Sequence, residues 1–234
     1  LAIREVSDRP IFCTFSVDAG GRTMMGTDAL AALCVMQGMG VSAFGLNCST
    51  GPGDMLPSFE RIAPHATVPL IAKPNAGLPR VQDGKTVFDL GPGEFAGFFP
   101  AICGAGVSIV GGCCGSTPAH IRALAQVLSD VTPAAVPRSD AKLAATRTSA
   151  QVVHESDTVG EPILCSDDMS GDILEAEEQT GIIKIMLKDE QDPALFEKNQ
   201  YMITSPLCLS SDDPALLAAA LEVFNGRAVY DGSG

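Results

Sequence analysis

The chain has 234 residues, 46% of them hydrophobic and 18% charged, with 24 Gly and 16 Pro, and a mean hydropathy of +0.22 excludes global disorder. No apolar run reaches the ~20 residues that a membrane-spanning helix needs, and the net charge of −13 argues against nucleic acid or an anionic membrane as the partner. The acid is uneven: residues 1–131 carry 8 Lys+Arg and 10 Asp+Glu, whereas residues 132–234 carry 7 and 18, which points to two units with different surfaces.

PIFCTFSV (10–17) is a compact β-branched and aromatic run and is predicted as a buried strand, followed by the Gly-rich loop DAGGRTMMGT. Asp28 is placed to cap a helix over 29–39 that Gly40 ends. VSAFGLNC (41–48) is the next strand; the loop STGPGD leads to a helix at about 54–65. VPLIAKPNAG (68–77) is a third strand with its loop, and a helix weakened by Gly97 and Pro100 covers about 92–104. VSIVGGCCG (107–115) is the fourth strand, after which Thr117 and Pro118 open an Ala-rich helix to about 129. Four consecutive β/α units with strands this apolar predict an α/β fold with a parallel sheet covered on both faces. At about 130 residues they hold half the content of a (β/α)8 TIM-type barrel, and an open half leaves unpaired strand edges.

Residues 132–160 show no periodicity and are predicted as a linker. From 161 to 234 a smaller acidic β/α region follows. EPILCS, GIIKIMLK (181–188), YMITSPLCLS (201–210) and RAVYDGS (227–233) are its expected strands, and DPALFEKNQ and DPALLAAALEVFNG its helices, each opened by Asp-Pro.

Cys13, Cys34 and Cys103 lie inside apolar runs and are expected as small core hydrophobes. Cys113 and Cys114 are adjacent, and sequence neighbours rarely bridge each other. With no secretory leader visible, a reducing, cytoplasmic setting and a thiol or metal role are expected. Asn47-Cys48, Asn75 and Cys113-Cys114 close the second, third and fourth strands, and in parallel β/α architecture strand C-termini face one shared site. Three thiolates suit Zn²⁺, and three protein ligands leave its fourth position free, as in catalytic sites. On spacing alone a second reading stands, in which a Gly-rich turn happens to carry two cysteines and Cys48 is a packed strand end. His65, His120 and His154 are expected on the surface or as caps. Asp167-Asp168, Glu175, Glu177, Glu178 and Asp212-Asp213 are expected as solvated faces and caps.

GLNCSTGP, PNAGLP and GGCCGSTPAHI, in that order, resemble the homocysteine S-methyltransferase domain family. NAGLP and GRTMMGTD are most similar to the homocysteine-binding domain of cobalamin-dependent methionine synthases. The resemblance implies that residues 1–131 are the four C-terminal β/α units of a (β/α)8 barrel, with Cys48, Cys113 and Cys114 as zinc ligands. It implies Asn75 at the amino-acid end of homocysteine, with Asn47 and Ser16 as further substrate-binding candidates. The implied reaction is zinc-dependent methyl transfer to the homocysteine thiolate, giving methionine. Cobalamin and methyltetrahydrofolate are the implied methyl sources, and a corrinoid-carrying domain the implied partner. PLCLSSDDPALLAAALEVFNGRAVYDGS resembles a strand–helix–strand piece of a pterin-binding barrel. The missing half barrel is expected from a further part of the same gene, from another chain or from a homo-oligomer. The alternative is a non-catalytic remnant or scaffold that pairs with another chain.

Overall fold

The computed structural model describes residues 2–132, 135 and 141–230. Contacts divide the chain into two units, Leu1–Asp140 and Ala141–Gly234. Among the described residues no helix is long and apolar enough to cross a membrane.

The first unit runs α1 (Ala2–Val6), β1 (Phe12–Phe15), α2 (Ala29–Gly38), β2 (Ala43–Asn47), α3 (Pro52–Ile62), β3 (Leu70–Lys73), β4 (Pro79–Gln82), β5 (Lys85–Phe88), α4 (Pro92–Gly97), α5 (Phe99–Gly104), β6 (Val107–Val110) and α6 (Pro118–Val127). Its main sheet has the order β1-β2-β3-β6, and every pairing in it is parallel. Parallel neighbours need crossovers, and the helices supply them. Alternate residues of the strands point at those helices: Phe44 and Leu46 of β2 and Leu70 and Ala72 of β3 join Leu33, Phe59, Ile62, Phe95, Phe99 and Ile102 in one core. Full burial of each such large side chain contributes about 1.5–3 kcal/mol.

The cap expected at Asp28 is present: Leu30 N–H donates to its Oδ1 at 2.8 Å. The first strand, expected as buried, is half-buried over Cys13–Phe15 and exposed at Phe12, because among the described residues β1 has a partner on one side only, and three further details differ from the sequence reading. The segment expected as one helix over 92–104 is two short helices that meet at Phe98, where Gly97 and Pro100 deny the backbone a continuous ladder. The expected loop after the third strand contains an antiparallel hairpin, β4 with β5. Its two-residue turn is Asp83-Gly84, both at positive φ (51° and 71°), the form that matches strand twist in tight hairpins. The third strand itself spans only Leu70–Lys73.

The second unit runs β7 (Lys142–Ala145), β8 (Ala150–Val153), β9 (Val159–Leu164), α7 (Ser170–Gln179), β10 (Ile182–Met186), α8 (Asp192–Asn199), β11 (Leu207–Ser210), α9 (Pro214–Val223) and β12 (Val229–Tyr230). A second parallel sheet has the order β12-β11-β10-β9, with Ile173, Ile183, Ile185, Phe196, Leu207 and Leu209 in its core. Residues 142–153, expected within the aperiodic 132–160 stretch, instead form an antiparallel hairpin, β7 with β8. Reciprocal backbone bonds between Ala145 and Arg227, 2.9 and 2.7 Å, tie that hairpin to the segment before β12. The strand expected over 201–210 is confined to Leu207–Ser210, since Gln200–Met202 forms a 3-10 turn and Pro206 has no N–H to give a ladder. Of the strand expected over 227–233, residues 231–233 lie outside the described residues.

Candidate metal centre

The C-terminal ends of β2, β3 and β6 are neighbours in register, Asn47 with Lys73 and Ala72 with Val110. The turns that leave these ends carry the thiols. Cys48 follows β2 directly; Cys113 and Cys114 follow β6 after Gly111-Gly112. The three Sγ atoms lie within 4.8 Å of one another, and Cys48 Sγ is 3.6 Å from Cys114 Sγ. A tetrahedral zinc with Zn–S bonds of about 2.3 Å spaces its sulfurs about 3.8 Å apart. The donor set and its spacing therefore fit a zinc ion. Cys114 is exposed and the other two are half-buried, so the cluster is open to solvent.

The backbone holds the thiols in place. Cys48 and Ser49 both adopt φ 59°, a left-handed conformation that costs a non-glycine residue energy and persists where surrounding contacts enforce it. Here Cys48 N–H donates to Lys73 O at 3.0 Å, and Thr50 N–H to Cys48 O at 2.7 Å. On the facing turn, Cys113 N–H donates to Pro74 O at 2.8 Å, and Ala76 N–H to Cys114 O at 2.9 Å. Gly115 sits at φ +79°, and a Cβ there would overlap the Phe88 side chain. Phe88 ends β5, so the unforeseen hairpin packs against the cysteine turn.

Asn75 is 4% exposed. Its Oδ1 accepts Cys114 N–H at 3.1 Å, and its own N–H donates to Thr50 O at 3.0 Å. It thus joins the turns of β2 and β6. Asn47 is the half-buried last residue of β2, and Ser16 is exposed just beyond β1; both lie at the same end of the sheet as the thiols.

The Cys48 thiol is held below the ordinary value, chiefly by the Ser49 backbone N–H. Partial burial opposes that shift, and hydrogen bonds from Cys113, Cys114 and Asn75 add to it. Cys114 is pushed up to about 11, because it donates hydrogen bonds to Cys48 and Cys113 and would share their negative charge. Between these two thiols the negative charge is therefore favoured at Cys48 over Cys114.

Cys34 and Cys103 are buried as expected, and Cys13 is half-buried. His120, expected on the surface or as a cap, is a cap that is also buried, at 6% exposure. Its Nδ1 accepts Thr117 N–H at 3.3 Å, and its Nε2 lies 3.0 Å from Leu90 O. The spacing Thr117-Pro-Ala-His120 is that of a capping box with His in the Glu/Gln position. This residue fixes the start of α6, just after the cysteine turn.

The family model for homocysteine S-methyltransferase matches residues 1–128. The chain is 38% identical over 135 residues to methionine synthase of Mycobacterium leprae (strain TN), covering 56% of this chain and 11% of that protein. It is 39% identical over 126 residues to methionine synthase of Mycobacterium tuberculosis (strain ATCC 25618 / H37Rv), covering 52% and 10%. The match thus spans about a tenth of the length of these curated relatives. Among solved structures, a homocysteine methyltransferase from Escherichia coli in its oxidized form is similar at a TM-score of 0.42 and 23% identity, covering 53% of this chain and 38% of that one. A tryptophan synthase complex from Pyrococcus furiosus is similar at a TM-score of 0.34 and 10% identity, covering 95% and 87%.

Proposed function

The chain belongs to the homocysteine S-methyltransferase family, and from that premise we propose that its first unit serves the transfer of a methyl group to the thiolate of homocysteine, giving methionine. The observation that carries this reading is the convergence of Cys48, Cys113 and Cys114, all within 4.8 Å, at adjacent strand ends. These three thiols would hold zinc, which when bound supplies the Lewis acidity that keeps a substrate thiol deprotonated near neutral pH.

The remaining work falls to the chain's own residues. Ser49 N–H and Asn75 bias Cys48 toward the thiolate, the form a metal ligand needs. Asn75 fixes the Cys114 backbone through its Oδ1 and keeps amide hydrogens to donate. Asn75, Asn47 and Ser16, polar side chains at this end of the sheet, are proposed to orient the amino-acid end of the substrate.

We further propose that residues 1–131 are the four C-terminal units of a (β/α)8 barrel and that the acidic second unit, which includes the β7–β8 hairpin, is a small β/α remnant of a pterin-binding domain. The parallel order β1-β2-β3-β6 supports this, and further strands would pair at β1 and β6. Since the relatives are methionine synthases, cobalamin and methyltetrahydrofolate are the proposed methyl sources. A corrinoid-carrying domain is the proposed partner, in a cytoplasmic setting that keeps thiols reduced.

A second reading, a non-catalytic scaffold that pairs with another chain, draws on one observation: among the described residues β1 and β6 are the open edges of the first sheet. Homocysteine methylation by the purified chain, read beside its mass in solution, separates the two. Methionine formation that Cys48→Ala abolishes supports the first. A folded, metal-free, inactive oligomer overturns it in favour of the second.

A further inference from the structure

We propose that the Cys48–Cys113–Cys114 cluster is also a receptor for trivalent arsenic, taking arsenous acid as a three-sulfur complex. The inference rests on thiol number and spacing and applies to the cluster when no zinc occupies it.

Among the described residues this is the one group of three metal-binding side chains close enough to share an ion. All three are thiols, and soft thiolates select soft centres. Trivalent arsenic makes three bonds and keeps a lone pair, so a pyramid of three sulfurs completes its shell without a fourth ligand. The sulfurs lie within 4.8 Å of one another, with Cys48 and Cys114 at 3.6 Å, and a small inward shift brings all three onto one atom. Exposed Cys114 gives the reagent an entry point.

The turns are fixed before any ligand arrives, by the backbone bonds to Lys73 O and Pro74 O and by Asn75. Preorganisation of this kind reduces the ordering cost of binding. The step balances without an oxidant. Three S–H and three As–O bonds break, three S–As bonds form, and each thiol proton leaves with a hydroxyl as water. The complex is neutral, so it adds no charge to the site. The other described cysteines, Cys13, Cys34 and Cys103 in the first unit and Cys165 and Cys208 in the second, form no such trio.

The test is arsenic X-ray absorption on the metal-free, reduced full chain after addition of sodium arsenite, with a binding titration. The expected result is one arsenic per chain, bonded to three sulfurs and no oxygen. Cys48→Ser, Cys113→Ser and Cys114→Ser each weaken arsenite binding by about tenfold or more, a loss of about 1.4 kcal/mol, while Cys165→Ser leaves it unchanged. Phenylarsine oxide, which needs only two thiols, still binds each single variant, which shows that the remaining pair is intact. Fewer than three sulfurs around arsenic in the wild-type chain, or undiminished arsenite affinity in any of the three site variants, overturns the proposal.

Discussion

The side chain of Asn75 accepts the backbone N–H of Cys114 at 3.1 Å, so a buried carboxamide on the turn after β3 governs the position of a thiol on the turn after β6. The same side chain donates toward Cys48. One residue therefore links two of the three candidate zinc ligands. Asn75→Ala is expected to weaken zinc binding about 10–100-fold, the usual penalty for losing an outer-shell partner, and to leave Cys114 N–H without its acceptor. Competition of the variant against a chelator of known affinity measures the effect. Asn75→Asp keeps the acceptor but loses the donor and adds a negative charge beside Cys48, so the Cys48 thiol is expected to titrate at higher pH than in wild type.

In the metal-free chain, alkylation is expected to reach Cys48 before Cys114. The Cys48 thiol lies below its ordinary value and that of Cys114 is raised to about 11. At any pH between these positions Cys48 holds more thiolate, the reactive form. Peptide mass spectrometry of partly labelled protein across pH 6–10 reads the order. Equal rates at the two positions would count against the hydrogen-bonded triad.

Gly115→Ala is expected to destabilise the first unit by about 2–4 kcal/mol, from a left-handed alanine and an overlap with Phe88. Chemical denaturation gives the size. Because Gly115 directly follows Cys114, the variant is also expected to bind zinc less tightly at temperatures where it remains folded.

Cys165 predicts an alkaline weakness in the second unit. Burial, with the charge of Asp192 as a smaller cause, pushes its thiol up to about 12 from the ordinary 9.0. Below pH 9 both folded and unfolded chains carry the proton and nothing is lost. As pH rises from 9 toward 12 the unfolded chain releases the proton first, so the folded form loses stability over that window. Cys165→Ala is expected to flatten the decline in denaturation midpoint between pH 9 and 11. An unchanged slope would remove Cys165 as its cause.

Much of the first unit was legible because its signals are local and agree. Phe44 and Leu46 alternate with small residues, Asp28 precedes an apolar helix, and Pro118 follows Thr117. Each of these forms what its chemistry favours. The β4–β5 hairpin was equally local, since Asp83-Gly84 between Val81 and Val87 is a tight-turn signal; the surrounding loop residues obscured it. Residues 142–153 were harder: their alternation is weak, and Lys142–Ala145 becomes a strand through its pairing with Val153–Ala150 and its bonds to Arg227, 82 positions after Ala145. The convergence of Cys48 with Cys114 was suggested by the rule that parallel strand ends share a face, and the resemblance carried by GLNCSTGP and GGCCGSTPAHI singled out the three thiols. The left-handed turn at Cys48-Ser49 carries no Gly or Asn to announce it. Tertiary bonds impose it, which places it beyond local reading.

The account rests most directly on the zinc content of the purified chain. It predicts one tightly held zinc per chain, lost from Cys48→Ala, Cys113→Ala and Cys114→Ala alike. A folded wild-type chain that retains no zinc after exposure to it, or a triple-alanine variant that retains as much, would contradict it.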